Sequence, residues 1–509
     1  MSTDFDLPGM ADCCWAATAS HQSYPHLTKS TRTDVAIVGA GIVGLTAAYA
    51  LSRAGARVTV LEGLRVGGQV TGRSSAKITS QHSLIYRHLR DTFSIEIARL
   101  YAEANRAGVD QIRTWVRELG INCDLEEKDA YAYTCERSLV ADVEKEAEVA
   151  RLLGFKADVV ARAPLPFETA GALRFPSEAQ FNPMRYLQGL AAAVMQAGGI
   201  IFEKTRVKNI KSERRWRITT EHGNLDAEHV VLATNLPIAG PGHYDIRTRP
   251  RGHIAMAFRV ASKTVLEGMF IGIDHPTHSI RTGRDNEGPL LVVLGPAFVT
   301  GQEGNVVARF RELDEWAREN LPVQRAVWRW FNEDYDTPDR VPYVGRPDKK
   351  AKGLYVATGF NGWGISNGTA SGLLICDQIE GRPNPWAKLY DPRRDGPKKY
   401  NKGDDTRSLV RSIDDIPRGH GGVIKRGKAV LAVWKSENGR PRAVSASCTH
   451  AGCIVTWNNA DLTWDCPCHG SMFSADGQVI HGPATKPLAA KQLPKKTKRG
   501  QRSRRQKRA

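Results

Sequence analysis

The chain has 509 residues, of which 41% are hydrophobic and 25% charged; that is enough for two or three separately cored domains and excludes a disordered or fibrous polypeptide. No run of eighteen apolar residues occurs, and the opening MSTDFDLPGMADCCWAATAS lacks the basic and apolar regions of a secretory signal and the paired arginines of a twin-arginine one, which points to a cytoplasmic protein. The formal net charge is +18, but residues 495–509, KKTKRGQRSRRQKRA, hold nine Lys or Arg and no acid, so half the excess belongs to a solvated tail, and binding of nucleic acid or an anionic membrane through it is disfavoured.

After an extension of 32 residues, Thr33 to Gly63 (TDVAIVGAGIVGLTAAYALSRAGARVTVLEG) runs from a β-branched strand through a glycine turn and an Ala/Leu-rich helix into a second strand. Gly39, Gly41 and Gly44 fit G-x-G-x-x-G in the strand-to-helix context it requires: the first turns the chain, the second admits a pyrophosphate, and the third lets helix and strand close together. The pyrophosphate then sits on a helix N-terminus. Glu62, at the end of the second strand, suits a ribose 2′-OH and disfavours a 2′-phosphate and hence NADP, leaving FAD or NAD open.

Helical patterns follow from about Thr92 to Leu119 and from Asn182 to Ala197. The apolar runs Glu228–Asn235 and Gly353–Gly364 read as buried parallel strands, the second leading into a helix from Ile365 to about Glu380. Residues 386–405 are dense in Pro, Gly and charge and read as a linker. Beyond them, 406–493 shows short alternating runs between glycine turns, the pattern of a small all-β domain; Trp457 and Trp464 read as its core residues.

That last domain carries Cys448-x-His450 and Cys466-x-x-His469. Two Cys/His pairs on two loops can close around a structural zinc ion or hold a [2Fe–2S] cluster with thiolates on one iron and imidazoles on the other. An oxygenase would need a further iron on two His and a carboxylate; the nearest candidate, His275 and His278 after Asp274, reads as a surface turn.

Residues from about Trp15 to Pro385 resemble the FAD-dependent D-amino-acid oxidase and sarcosine oxidase family, through the βαβ unit, TGRSSAKITSQH (71–82), TRVKNI (205–210) with VVLATN (230–235), TPDRVPYVGR (337–346) and ATGFNGWGISNGTASG (357–372). The resemblance implies FAD held by Gly39, Gly41, Gly44 and Glu62 at its ADP half, by the Val207 backbone at adenine, and by Arg73, Ser74, Gly359, Gly362 and Gly364 around the flavin. Only one dinucleotide fingerprint is present, so the flavin takes its electrons from a substrate and not from NAD(P)H. The family's carboxylate-binding lysine is replaced by Ser366, which counts against an amino-acid substrate; Lys77, Arg281, Tyr343 and Trp363 are the remaining candidates for the substrate pocket. His82 reads as hydrogen-bonded, leaving FAD dissociable, and Cys13 and Cys14 as free thiols.

CTHAGC (448–453) and CPCHGS (466–471) resemble both cluster-binding boxes of Rieske proteins. This implies a Rieske [2Fe–2S] cluster on Cys448, His450, Cys466 and His469, with Cys453 and Cys468 joined in a disulfide. The expected architecture is an α/β, Rossmann-like FAD-binding domain with an interleaved α+β substrate domain (33–385), a linker, a small all-β Rieske domain (406–493) and a basic tail (494–509). The expected function is oxidation of a small amine, amino acid or related C–H donor by hydride transfer to FAD, with electrons passing to the cluster and then to an acceptor protein or quinone. The rival expectations are an O₂-using oxidase with a structural or sensing cluster, and a non-catalytic, redox-responsive binding protein.

Overall fold

The computed structural model describes residues 7–261, 266–394, 409–427 and 429–493. The basic tail and most of the expected linker lie outside these residues. Among the described residues no helix is long and apolar enough to cross a membrane.

The β-branched run Thr31–Val38 forms a strand parallel to Val58–Leu61 on one side and to Asn224–Leu232 on the other, and Leu354–Thr358 extends the parallel order. Its apolar residues are covered on both faces, which is why these strands read as continuous apolar runs. Helix Ile42–Arg53 leaves the glycine turn and packs on helix Gly364–Ile379. The seam between them needs glycine: a Cβ on Gly368 would come within 2.6 Å of Ile42 Cγ2, and one on Gly372 within 2.6 Å of Thr46 Cγ2.

The two helices expected from periodicity run from Ile95 to Glu118 and from Pro183 to Gln196. Ser94 caps the first by accepting from the Ile97 N–H; Asn182 caps the second by accepting from the Met184 and Arg185 N–H groups. A second, eleven-stranded sheet is dominated by the antiparallel pair Arg249–Val260 and Val323–Asp336. The segment ahead of the βαβ unit is built into it: Met10–Ala11 pairs with Val323–Asp336, and Trp15 donates its indole N–H to the Ser74 carbonyl at 2.9 Å.

The C-terminal unit consists of two four-stranded antiparallel sheets. Trp464 is fully buried in its core beside Val423, Val455 and Phe473, with Trp457 packed edge-on at 4.6 Å, the structural role expected of both. This unit is seated on the larger one. Met472 enters a hydrophobic cluster with Ile254 and Phe331. Thr456 Oγ1 donates to the Gly301 carbonyl (2.8 Å), and Arg206 donates to the carbonyls of Val479 and Ile480 (3.1 and 3.3 Å).

Candidate active site and iron–sulfur centre

A cavity of about 360 Å³ starts at the glycine turn, passes Glu62, Val207 and Ser74, and ends among Lys77, His82, Trp363 and Ser366. Gly39 sits at φ +106°, and a Cβ there would lie 2.4 Å from the Ala233 carbonyl oxygen. Gly41 lines the cavity at the start of helix Ile42–Arg53, where a Cβ would meet only Thr71 Oγ1, at 3.2 Å, so a ligand can approach the backbone closely. Gly44 faces the strand instead: its Cβ would fall 1.9 Å from the Gly39 carbonyl oxygen. The Glu62 carboxylate accepts from the Ala40 and Leu64 N–H groups, both at 2.8 Å, which fixes it beside the turn while burial pushes its pKa up.

At the other end Lys77 Nζ donates to the Phe270 carbonyl (2.6 Å) and to Ser279 Oγ (2.7 Å). Burial, helped by the charge of Arg281, brings its pKa down to about 7. His82 Nε2 lies 3.0 Å from the Thr79 carbonyl and 3.0 Å from Ser366 Oγ, while Nδ1 is 2.7 Å from the Tyr101 hydroxyl. A carbonyl can only accept, so Nε2 carries the proton and Nδ1 accepts from Tyr101. Burial holds this imidazole neutral, down to about 3, and Trp363 stacks on it at 4.7 Å.

Asn332 and Asp334, two residues apart on one strand, also line the cavity, and Oδ1 of each has no hydrogen-bond partner among the described residues. Asp334 Oδ2 accepts from the Gly362 N–H at 2.6 Å, and burial raises its pKa to about 6. The sequence reading missed both, although their alternation along a strand puts them on one face. It also missed the contribution of the C-terminal unit: Ile480, His481, Gly482, Ala484 and Thr485 line the same cavity.

In the C-terminal unit two loops repeat one backbone pattern. Gly452 N–H donates to the Cys448 carbonyl and Gly470 N–H to the Cys466 carbonyl, both at 2.9 Å. Cys453 and Cys468 join the loops in a disulfide with Cα atoms 6.4 Å apart. The Cys448 and Cys466 thiols hydrogen-bond to each other, which holds Cys448 down to about 6. Nδ1 of His450 and Nδ1 of His469 face each other at 3.1 Å with their rings at 88°. Two sulfurs and two imidazole nitrogens therefore converge in separate pairs, a donor set that fits one sulfur-ligated and one nitrogen-ligated iron.

Residues 34–378 match the family described as FAD dependent oxidoreductase, more than half of the chain. The chain belongs to this family. Residues 406–494 match the Rieske [2Fe-2S] domain, so this FAD oxidoreductase has FAD and a Rieske [2Fe–2S] cluster as its cofactors. It is 32% identical over 491 residues to YhfW of Bacillus subtilis, whose name describes a Rieske 2Fe-2S iron-sulfur protein, covering 93% of this chain and 96% of that one. It is 24% identical over 392 residues to the gamma-glutamylputrescine oxidoreductase of Escherichia coli, covering 72% and 88% of the two chains. The fold resembles that of glycine oxidase from Geobacillus kaustophilus with a TM-score of 0.59 at 20% identity, over 72% of this chain and all of that one.

Within this flavoprotein several residues expected at the cavity lie elsewhere. Arg281 is buried and saturated by the carbonyls of Ser75, Ala76, Phe181 and Thr282, with its guanidinium 4.7 Å from the Trp15 ring; it braces the fold. Tyr343 is sandwiched between the guanidinium groups of Arg247 and Arg394 at 4.2 and 4.0 Å. Arg73 turns to the Phe331 carbonyl (3.5 Å). Gly359 is needed for packing, since a Cβ would lie 2.3 Å from Thr337 Cγ2. Of the Asp274 turn, His278 is buried and stacked on Trp316 at 3.8 Å, whereas His275 lines the cavity. Cys13 and Cys14 are free and buried.

Proposed function

We propose that the protein oxidises a small amine, or a related C–H donor, by hydride transfer to FAD, and that the electrons leave through the Rieske cluster to an acceptor protein or quinone. The observation that carries this reading is that one cavity is walled by both domains, from the dinucleotide turn at Gly39 to His481 and Thr485 of the Rieske domain. When bound, FAD accepts two electrons as a hydride and the cluster takes them one at a time.

Gly39, Gly41 and the N-terminus of helix Ile42–Arg53 would hold the diphosphate of FAD, with Glu62 at the ribose. The free oxygens of Asn332 and Asp334 can accept N–H bonds inside the cavity, as an amine or the flavin edge requires. Ser366 is engaged with His82 and offers no cation to a carboxylate, which favours an amine over an amino acid. The relative named for gamma-glutamylputrescine supports this general class. Cys448 and Cys466 would hold one iron, and His450 and His469 the other. His469 is buried against the FAD domain while His450 is exposed, an arrangement suited to receiving electrons on one side and delivering them on the other.

Anaerobic stopped-flow mixing with a panel of amines, amino acids and hydroxy acids tests the reading. Flavin bleaching followed by cluster reduction is expected. Peroxide formation in air with the cluster left idle would replace it with the oxidase reading.

A further inference from the structure

The short helical turn Tyr244–Arg247 belongs to the FAD domain, yet it places an acid beside the iron–sulfur site. Asp245 Oδ2 lies 3.9 Å from Nε2 of His469. A carboxylate oxygen of Asp245 and one ring nitrogen each of His450 and His469 all fall within 4.8 Å of one another.

The placement is held firmly. Tyr244 is buried and packs on Tyr343 with ring centroids 5.5 Å apart, and Thr248 returns both its N–H and its hydroxyl to the Tyr244 carbonyl. On the Rieske side, the Tyr335 hydroxyl hydrogen-bonds to the His469 carbonyl at 2.9 Å. The nearest cation in sequence does not neutralise the acid. Arg247 turns away to the carbonyls of Pro392 and Arg394 and lies over the Tyr343 ring.

We propose that Asp245 sets the reduction potential of the Rieske cluster from across the domain boundary. This rests on the reading in which His469 ligates iron through Nδ1. With Nδ1 committed to the metal, Nε2 carries the proton and faces the carboxylate. A carboxylate behind a ligand imidazole raises the ligand's basicity and fixes its orientation. Reduction adds one electron to the cluster, and a fixed negative charge a few ångströms from the ligand ring opposes that added charge. Asp245 therefore lowers the potential and is a positioning residue: it touches a ligand, not the irons or the substrate.

The test is a redox titration of the holoenzyme at one fixed pH. Dithionite supplies the electron that converts the diferric cluster to its mixed-valent form, which is followed by EPR. Asp245→Asn is expected to raise the equilibrium constant for cluster reduction by about three- to tenfold, the upper value corresponding to about 59 mV for one electron. Asp245→Ser should do the same if the Asn variant folds poorly, and Asp245→Glu should return the midpoint toward that of the parent. The flavin midpoint in the same titration should stay in place, since Asp245 does not line the FAD cavity. A full-intensity cluster signal with an unmoved midpoint in the Asn and Ser variants overturns the proposal, as does an equal shift in the Glu variant. The two readings fail separately. If no amine bleaches the flavin but the midpoint moves, the substrate reading falls and this one stands; if amines reduce the cluster and the midpoint is unmoved, the reverse holds.

Discussion

Tyr335, on a long strand of the FAD domain, is hydrogen-bonded at 2.9 Å to the carbonyl of His469, in the loop that carries a cluster ligand. Its hydroxyl also lies 3.0 Å from Glu333 Oε1. One phenolic proton cannot serve two acceptors. Burial pushes the Glu333 carboxyl well above its ordinary range, the direction that lets a protonated acid donate to Tyr335 while Tyr335 donates to His469. His481, 3.6 Å from Glu333, is pushed down to about 4 by burial and by the charges of Arg206 and Arg73. The imidazole is thus uncharged at neutral pH, and the contact is not an ion pair.

Tyr335→Phe removes the tie while keeping the ring that fills the core. The cluster should still assemble. Urea unfolding followed by cluster absorbance should show a loss of about 2 kcal/mol, since the hydroxyl's bonds to both His469 and Glu333 are lost and their buried partners are left unsatisfied, and flavin-to-cluster electron transfer should slow. Unchanged stability together with an unchanged transfer rate would show that this bond does not hold the domains together.

The disulfide between Cys453 and Cys468 spans 15 residues and joins the two loops that hold the cluster ligands. A cross-link closing a loop of that length contributes about 3 kcal/mol in the chain-entropy account. The double variant Cys453→Ser/Cys468→Ser should therefore lose its visible cluster spectrum at a lower urea concentration than the parent, and dithiothreitol should bring the parent toward the variant. Equal bleaching curves would assign the loops' rigidity to their backbone hydrogen bonds alone.

Features written in contiguous residues were legible before any coordinates. The βαβ unit, the two helical patterns and the two Cys/His boxes each depend on neighbours within a few turns of chain. The glycine turn, Glu62, Val207, Lys77 and Trp363 were legible as cavity wall, but the part contributed by the long strand and the Rieske domain was not, because it depends on register and docking. Asn332 and Asp334 reach it only because their strand pairs along its length with Arg249–Val260, and Ile480 to Thr485 reach it only because the Rieske domain docks there. The errors at Arg281 and Tyr343 share a cause: a buried cation or phenol looks the same in sequence whether it faces a substrate or, as here, backbone carbonyls and two guanidinium groups.

The three glycines of the turn should respond differently to alanine. Gly39→Ala meets both a left-handed φ of +106° and a carbonyl oxygen 2.4 Å away, and Gly44→Ala meets one at 1.9 Å; both variants should be poorly folded and purify without flavin. Gly41→Ala meets only a hydroxyl at 3.2 Å. It should fold normally, with its circular dichroism spectrum unchanged, and bind FAD about tenfold more weakly, a loss of about 1.4 kcal/mol. Wild-type flavin content in all three would mean that the dinucleotide lies elsewhere.

Lys77 supplies a pH signature. Its pKa falls from an ordinary 10.5 to about 7, first through burial and then through the charge of Arg281. Below pH 7 the amine is protonated in both folded and unfolded chains, and the folded state carries the full cost of a buried cation. Between about 7 and 10.5 the unfolded chain holds a proton that the folded chain has released, so stability rises with pH across that window. Lys77→Met removes this dependence. The variant also loses the hydrogen bonds to the Phe270 carbonyl and Ser279, a cost that does not change with pH. Measured by urea unfolding at pH 6, 8 and 9.5, the stability of the parent relative to the variant should therefore climb by up to a few kcal/mol. A difference that stays flat from pH 6 to 9.5 would mean that Lys77 titrates like a solvent-exposed lysine and holds its charge in the cavity throughout.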